Sequence, residues 1–278
     1  MNRFPWFGVA IWAWRGVVVT AGRAGIWLPF LAVSLVQFAL LRLITGFHHA
    51  ALIPVGLPLV RFLGGNGATH YPALLYLLPT MFFRVNLIIS VLLASVAGGV
   101  ATLLFARAFG HDPGPLGRDR ILRSAPPLIG VTLLIVGVLL GITLLGSLVP
   151  RDLVLENGTV RWAMRLTVMA IFVLFQSLMA YTTAWIVLMG HGIWASIRDS
   201  VRVTWRTFLP TLVAVGLPAV LLFPSSYATS RVDLVANRLK PEVITSLVVV
   251  QIVCQLLATF LLMGAVTRLF LWRLEEKR

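Results

Sequence analysis

The segment "IWASIRDSVRVTWRTFLP", residues 193–210, separates two long apolar stretches and has two chemically different faces. At helical spacing, one face carries a column of arginines: Arg198, Arg202 and Arg206. Another face carries an apolar stripe: Trp194, Ile197, Val201, Trp205 and Phe208. Indole rings favour the headgroup level of a membrane, and guanidinium groups there reach phosphates. We therefore predict an interfacial helix, in which Asp199 pairs with Arg198 or Arg202.

The composition of the whole chain agrees with a membrane environment. Of 278 residues, 59% are hydrophobic and 12% are charged, and the mean hydropathy is +0.95. A soluble domain with a hydrated surface is far less apolar than this. The net charge of +14 does not indicate nucleic acid, because the 23 lysines and arginines lie at the ends of apolar runs, where membrane topology explains them.

Apolar runs of membrane-spanning length, bounded by charged residues, occur six times. The predicted spans are 26–45, 84–108, 127–149, 163–190, 208–224 and 243–268. We predict an all-α polytopic membrane protein with six transmembrane helices. Arg15 interrupts the apolar run of the amino-terminal segment, so we expect this segment to be retained rather than cleaved as a signal peptide.

The distribution of basic residues predicts the orientation. With six spans and both termini on one side, that side collects 14 lysines and arginines and the other side 9. Short loops rich in basic residues stay in the cytoplasm. We expect a multi-pass protein of the bacterial cytoplasmic (inner) membrane with both termini in the cytoplasm.

Two other segments of the chain are partly similar in sequence to residues 193–210. "IWAWRGVVVTAGRAGIWLP", residues 11–29, shares its Ile-Trp-Ala start, spaced arginines and Leu-Pro end, and "PLGRDRILRSAPP", residues 115–127, again places arginines before prolines. We infer three repeats of an elbow helix and a helical hairpin within one membrane domain. The predicted boundaries are 1–25 for the amino-terminal interfacial helix and 26–108 for the first helical pair. The second and third elbows with their helical pairs cover 109–190 and 191–270, and a cytoplasmic tail covers 271–278. In the first elbow, Trp12, Arg15 and Arg23 are the predicted interfacial residues.

Two connections on the outer side have distinctive patterns. Residues 46–83 are too apolar for a hydrated linker and too rich in proline for a span, so we expect them to lie on or dip into the interface. "DLVLENGTVRW", residues 152–162, has an Asn-Gly turn flanked by alternating residues, which favours a small extracytoplasmic β-hairpin.

Small residues mark candidate packing faces. Ser90, Ala94 and Gly98 recur every fourth position in the second span, and Gly137 and Gly141 form a GxxxG pair in the third. Such faces allow close approach of another helix. We favour packing within the chain, with packing against another subunit as the alternative.

Polar residues inside the spans are few. The fourth span holds Gln176 and Tyr181, and the sixth holds Gln251 and Gln255. Buried amides need hydrogen-bond partners, so we interpret these residues as contacts between helices. The alternative is a cavity that binds a polar substrate.

Residues for catalysis or metal binding are not apparent. No aspartate or glutamate falls within the six predicted spans, and the five histidines lie at span ends or in loops. No phosphate-binding loop or hydrolase nucleophile motif occurs. The single cysteine, Cys254, permits no intramolecular disulfide. We therefore expect no enzymatic activity, no metal site and no cofactor.

The basic, tryptophan-containing elbow at 193–225, with its echo at 11–45, resembles bacterial six-helix membrane proteins, including the membrane domain appended to some glycerophosphodiester phosphodiesterases. None of these residues belongs to the catalytic domain of those enzymes, so the resemblance implies no catalytic residue here. The chain is also similar to permease subunits of ABC-type exporters. In that case "ARAFGHDPGPLGRDRILRS", residues 106–124, would face an ATPase.

These observations predict a non-enzymatic accessory or scaffolding subunit that organises partner helices or lipid. Its expected partners are membrane lipids with anionic headgroups and other membrane-protein subunits, and nucleic acid is not among them. The alternative function is that of a permease subunit driven by a separate ATPase.

Overall fold

The computed structural model describes residues 6–114, 117–147, 158–229, 231–232, 235 and 240–276. Within these residues the regular structure is helical, with no strand. The α-helices are α1 (Trp6–Thr20), α2 (Ala24–Thr45), α3 (Ile53–Gly64), α4 (Ala73–Ile89), α5 (Ser95–Ala108), α6 (Arg118–Ser147), α7 (Gly158–Met179), α8 (Thr182–Met189), α9 (Ile193–Arg206), α10 (Phe208–Thr229) and α11 (Val243–Glu275). A 3-10 turn covers Asn66–Thr69, and a π-helical turn, Ser90–Ala94, joins α4 to α5.

The prediction of an all-α protein with six membrane-spanning helices is confirmed. Six helical stretches are long and apolar enough to cross a membrane: Ala24–Thr45, Ala73–Ala108, Asp119–Leu144, Leu166–Met189, Phe208–Thr229 and Val243–Glu275. The second stretch begins 11 residues before the predicted position, because the charge of Arg84 does not end the helix. The Arg84 guanidinium group donates a hydrogen bond to the carbonyl oxygen of Leu63 at 2.6 Å.

Two of the predicted elbows are separate short helices. α1 precedes the span helix α2, and α9 precedes α10. Residues 115–127 do not form a third short helix, because their described part from Arg118 onward is continuous with the span in α6, which contains Pro126 and Pro127. The fixed φ angle of proline is helical, so the pair does not end α6, although each proline lacks the N–H that would bond to the preceding turn.

The predicted β-hairpin is only partly covered by the structure. Residues 152–157 lie outside the described residues. The strand expected over 158–162 is wrong, since these residues form the first turns of α7. The apolar run that follows extends as one helix, and this continuity outweighs the local alternation of side chains.

The fourth span is broken. α7 ends at Met179 and α8 begins at Thr182, so Ala180 and Tyr181 lie between two helices. α8 then ends at Met189 and is capped by Gly190, whose φ of +71° is a left-handed conformation that glycine adopts without a steric penalty. This turn leads within three residues to the start of α9.

The described residues fall into two compact units. The elbow unit contains the described parts of Met1–Ile26, Gly98–Leu217 and Leu261–Arg278. One of its apolar clusters joins α5, α6 and α8 through buried side chains: Leu103, Leu128, Val131, Ile186 and Val187.

The loop unit contains the described parts of Trp27–Ala97 and Pro218–Phe260. Its core draws on α2, α3, α4 and the first turns of α11. Outside the spans, the Tyr71 hydroxyl donates to a carboxylate oxygen of Glu242 at 2.8 Å. Hydrogen bonds from its own backbone N–H and from Tyr71 hold the pKa of Glu242 below its ordinary value.

Candidate arginine-lined cavities at the elbow helices

Helix α9 has three faces with different environments. Arg198 and Arg202 expose 71% and 64% of their side chains, and Trp194 and Trp205 are 75% and 78% exposed. The face that packs against the rest of the elbow unit is a third one, formed by small and hydroxyl-bearing residues: Ser196, Ser200, Val203 and Thr204. The sequence pattern indicates the basic and aromatic residues but not the packed face.

The hydroxyl face of α9 satisfies the backbone at the break in the fourth span. The Ser200 hydroxyl donates to the carbonyl oxygen of Leu178 at 2.7 Å and accepts a hydrogen bond from the Tyr181 N–H at 3.1 Å. The Thr204 hydroxyl donates to the carbonyl oxygen of Ser177 at 3.0 Å. A helix interrupted within a membrane needs such partners, because lipid offers none. α9 therefore supplies hydrogen bonds that the broken span needs.

Tyr181, one of the residues assigned to a polar cavity, is fully buried. Its hydroxyl lies 2.6 Å from the Thr211 hydroxyl and 3.4 Å from that of Thr207. The two threonine hydroxyls are 3.2 Å apart. Tyr181 thus belongs to a hydrogen-bonded cluster of hydroxyl groups and does not line either cavity described below.

Asp199 lies among three basic groups at the start of α9. Its carboxylate oxygens are 3.7 Å from both Arg198 Nε and Arg202 Nη1, and 3.3 Å from His191 Nδ1. The structure therefore places both predicted arginines beside Asp199, together with a histidine that was not predicted there. The His191 ring stacks on Trp185 with centroids 4.9 Å apart. The described residues contain no group of three side chains suited to hold a metal ion.

A cavity of about 260 Å³, the α9 cavity, lies where α8 and α9 meet the end of α11. Three of its lining residues are arginines, and Glu276 is the one carboxylate. The lining residues are Trp185, Arg202, Val203, Arg206, Phe270, Arg273, Leu274 and Glu276. Arg273 pairs with Glu276 and donates to the carbonyl oxygen of Arg206 at 2.9 Å. The cavity combines an apolar wall with an excess of positive charge.

A larger cavity of about 600 Å³, the α1 cavity, lies beside α1. It is lined by the predicted interfacial residues Trp12, Arg15 and Arg23, and by Arg268 of α11. Arg268 donates to the carbonyl oxygen of Trp12 at 2.7 Å, and its guanidinium carbon lies 3.8 Å from the centre of the Trp12 ring. Arg23 donates to the carbonyl oxygen of Ala108 at 3.4 Å.

The predicted small-residue packing faces lie in two different environments. Gly98 is buried, and a Cβ atom there would lie 3.1 Å from Met263 Cε, so it supports a close helix contact. Ser90 and Ala94 are half-buried within the π-helical turn, which shifts the register of that face. Gly137 and Gly141 have no neighbouring atom within 4 Å of such a Cβ among the described residues.

An amide cluster in the loop unit joins three helices. Gln37 Nε2 donates to Asn86 Oδ1 at 2.7 Å and lies 3.5 Å from Gln255 Oε1, which is 3.4 Å from Asn86 Nδ2. Of the predicted residues, Gln255 lies in this cluster, whereas Gln251 and Gln176 are half-buried elsewhere on their helices. These amide hydrogen bonds connect α2, α4 and α11.

Several residues that build these sites were not predicted. Arg268 lies at the end of the sixth predicted span, Arg273 lies just after it, and Trp185 lies inside the fourth. The distribution of charge along the sequence does not indicate that these residues line a cavity. Gln37 and Asn86 are single amides within apolar helices. Their isolation in an apolar run is the one sequence feature that distinguishes them, because a polar group in lipid requires a partner.

Comparison with known proteins finds no match, whether to a protein-family model, a curated protein or a solved structure. The resemblances to glycerophosphodiester phosphodiesterase membrane domains and to ABC-type permease subunits stay predictions.

Proposed function

We propose that this chain is a non-enzymatic integral membrane protein of the bacterial cytoplasmic membrane, with both termini in the cytoplasm. It acts as an accessory or scaffolding subunit that organises anionic lipid and partner helices. The elbow helices α1 and α9 make the lipid contact in this proposal.

The observation that carries the proposal is the division of α9 into three faces. Its hydroxyl face is used within the chain, and its three arginines and two tryptophans are exposed. Two tryptophans exposed by 75% and 78% are unfavourable in water, whereas a headgroup layer accommodates an indole beside a guanidinium group. Arginines near an anionic surface add on the order of 1 kcal/mol each.

The proposed contact with partner helices is supported by α6. Among the described residues, no atom lies within 4 Å of a Cβ built at Gly137 or Gly141 of this helix. The exposed apolar side chains of the same helix are Leu133, Val138, Leu140 and Leu144. A helix of a partner subunit could approach closely at the glycines.

The lipid proposal is tested by changing Arg198, Arg202 and Arg206 together to glutamine. If all three reach phosphates, contact with anionic lipid weakens by about 3 kcal/mol. Native mass spectrometry of protein released from mixed-lipid nanodiscs measures the anionic lipid retained. Asp199→Asn is the matched control on the same helix, and we expect little change in its lipid retention.

Unchanged anionic-lipid retention by the triple variant would contradict the proposal and favour a protein partner for this surface. Purification from mild detergent identifies the companions. Membrane-protein subunits support the scaffolding function, whereas a soluble ATPase would favour the permease alternative.

The proposed orientation is tested with single cysteines in a Cys254→Ala background. Asp119 and Asn66 are exposed, so Asp119→Cys and Asn66→Cys give accessible thiols in connections predicted to lie on opposite sides. In intact cells, a membrane-impermeant maleimide should label Asn66→Cys but not Asp119→Cys. The reverse labelling pattern would refute cytoplasmic termini.

A further inference from the structure

We propose that the α9 cavity is a binding site for one phosphate group, carried either by a lipid headgroup or by a free phosphate compound. The inference rests on the proposed lipid contact of α9 and gives that contact a defined site. Three arginines and one glutamate line the cavity, which leaves two net positive charges beside an apolar wall. A volume of about 260 Å³ accommodates a phosphate group with one substituent.

Unpartnered donors are the second observation that points to an anion. Trp185 Nε1 and Arg273 Nε are both buried and find no hydrogen-bond partner among the described residues. Both belong to side chains that line the cavity. A buried donor without an acceptor is costly, and phosphate oxygens are strong acceptors for indole and guanidinium N–H groups. A small adjustment of these side chains around a bound phosphate would supply the missing acceptors.

The half-buried side chains of Trp185 and Arg273 are held in place before any ligand binds. Arg273 is fixed by its hydrogen bond to the Arg206 carbonyl oxygen and lies 5.1 Å from the centre of the Trp272 ring. Trp185 stacks on His191 and meets the Phe270 ring edge-on at 5.1 Å. Fixed side chains lose little freedom on binding, which distinguishes a built site from a set of mobile surface arginines.

The three arginines of the α9 column do not share this site equally. Arg202 and Arg206 line the cavity, whereas Arg198 does not and is the most exposed member of the Asp199 cluster. A general surface attraction would use all three alike. A site in the cavity predicts instead that Arg202 matters and Arg198 does not.

The experiment compares three single variants of the full chain: Arg202→Gln, Arg198→Gln and Glu276→Gln. Inorganic phosphate is titrated calorimetrically into purified protein in a non-ionic detergent. We expect Arg202→Gln to weaken binding about tenfold, since it removes a charge-assisted hydrogen bond. Arg198→Gln should change it less than about twofold. Glu276→Gln should strengthen it about fivefold, because a carboxylate that repels the anion is lost.

A second arm separates the two sources of phosphate. Native mass spectrometry of the same variants from nanodiscs containing phosphatidic acid and phosphatidylcholine reports retained lipid. If the variants rank in the same order for retained phosphatidic acid and inorganic phosphate does not bind, the site is assigned to a lipid headgroup. If the variants rank in that order only for the affinity for inorganic phosphate, the site is assigned to a free phosphate compound. Either result supports the site.

The outcomes also separate this inference from the proposed function. Equal losses in Arg202→Gln and Arg198→Gln, with no gain in Glu276→Gln, would overturn the cavity site and leave the general lipid contact intact. No loss in any variant, including the triple glutamine variant, would overturn both. The gain expected for Glu276→Gln is informative because a folding defect does not strengthen binding.

Discussion

The two elbow helices α1 and α9 both contain the sequence Ile-Trp-Ala, within α1 and at the start of α9, but they pack by different means. α1 has a glycine where an arginine from α11 crosses it: a Cβ on Gly16 would lie 1.4 Å from Arg268 Nη1. α9 instead packs through hydroxyls that bond to the backbone of α7 and of Tyr181 in the break that follows it. In both, an arginine of α11 donates to an elbow carbonyl, that of Trp12 or that of Arg206.

This difference explains the exposure of the tryptophans. Trp12 is covered in part by the Arg268 guanidinium and is 42% exposed, whereas Trp194 is 75% exposed. The shared sequence therefore specifies the kind of helix and its interfacial residues. The packing of each elbow is specified by residues that the two segments do not share.

The largest expected effect concerns the hydroxyl packing of α9. Ser200→Ala removes the partner of both the Leu178 carbonyl and the Tyr181 N–H, so we expect a loss of about 3 kcal/mol in the free energy of unfolding. Ser124→Ala is the control, because that hydroxyl bonds to carbonyls of its own helix, and the loss should be below about 0.5 kcal/mol. Denaturation in detergent measures both. Equal losses would show that the break does not depend on α9.

A smaller effect is expected where α1 packs on α11. A Cβ on Gly264 would lie 2.8 Å from both Val17 methyl groups, and Val17 is fully buried. Gly264→Ala should cost about 2 kcal/mol through overpacking. Gly137→Ala, which meets open space, should be neutral or slightly stabilising in the same unfolding assay, since alanine has the higher helix propensity. A neutral Gly264→Ala would mean that this contact of α1 is loose.

The smallest effect compares the two arginines that reach the elbows. Arg268→Lys keeps the charge but loses the planar group 3.8 Å over Trp12, so we expect a cost of about 1 kcal/mol. Arg273 lies 5.1 Å from its tryptophan ring, and Arg273→Lys should cost less. Unfolding curves and Trp fluorescence of the two variants provide the comparison. A larger loss for Arg273→Lys would reverse the proposed ranking of the two contacts.

The six spans were predictable because a membrane span needs only sufficient apolar length, which a sequence displays directly. The break in the fourth span and the continuity of α6 from Arg118 into the third span were not predictable from the sequence. The run 163–190 gives no sign of the break at Ala180, because the groups that stabilise it are hydroxyls about 20 residues further along. The alternating pattern at 158–162 favoured a strand, but a short local pattern does not outweigh continuity with a long apolar helix.

The sequence by itself determined the all-α membrane architecture, the six spans and the arginine and tryptophan faces of the elbows. These properties follow from composition and periodicity within single segments. The tertiary structure decided which face of α9 is buried, which glycines are close contacts, and which arginines surround a cavity. Arg202, Arg206 and Arg273 come from segments separated by more than 60 residues, and Trp185 comes from a third. Only the packing of α8, α9 and α11 brings these side chains together, because their proximity depends on contacts that no local pattern contains.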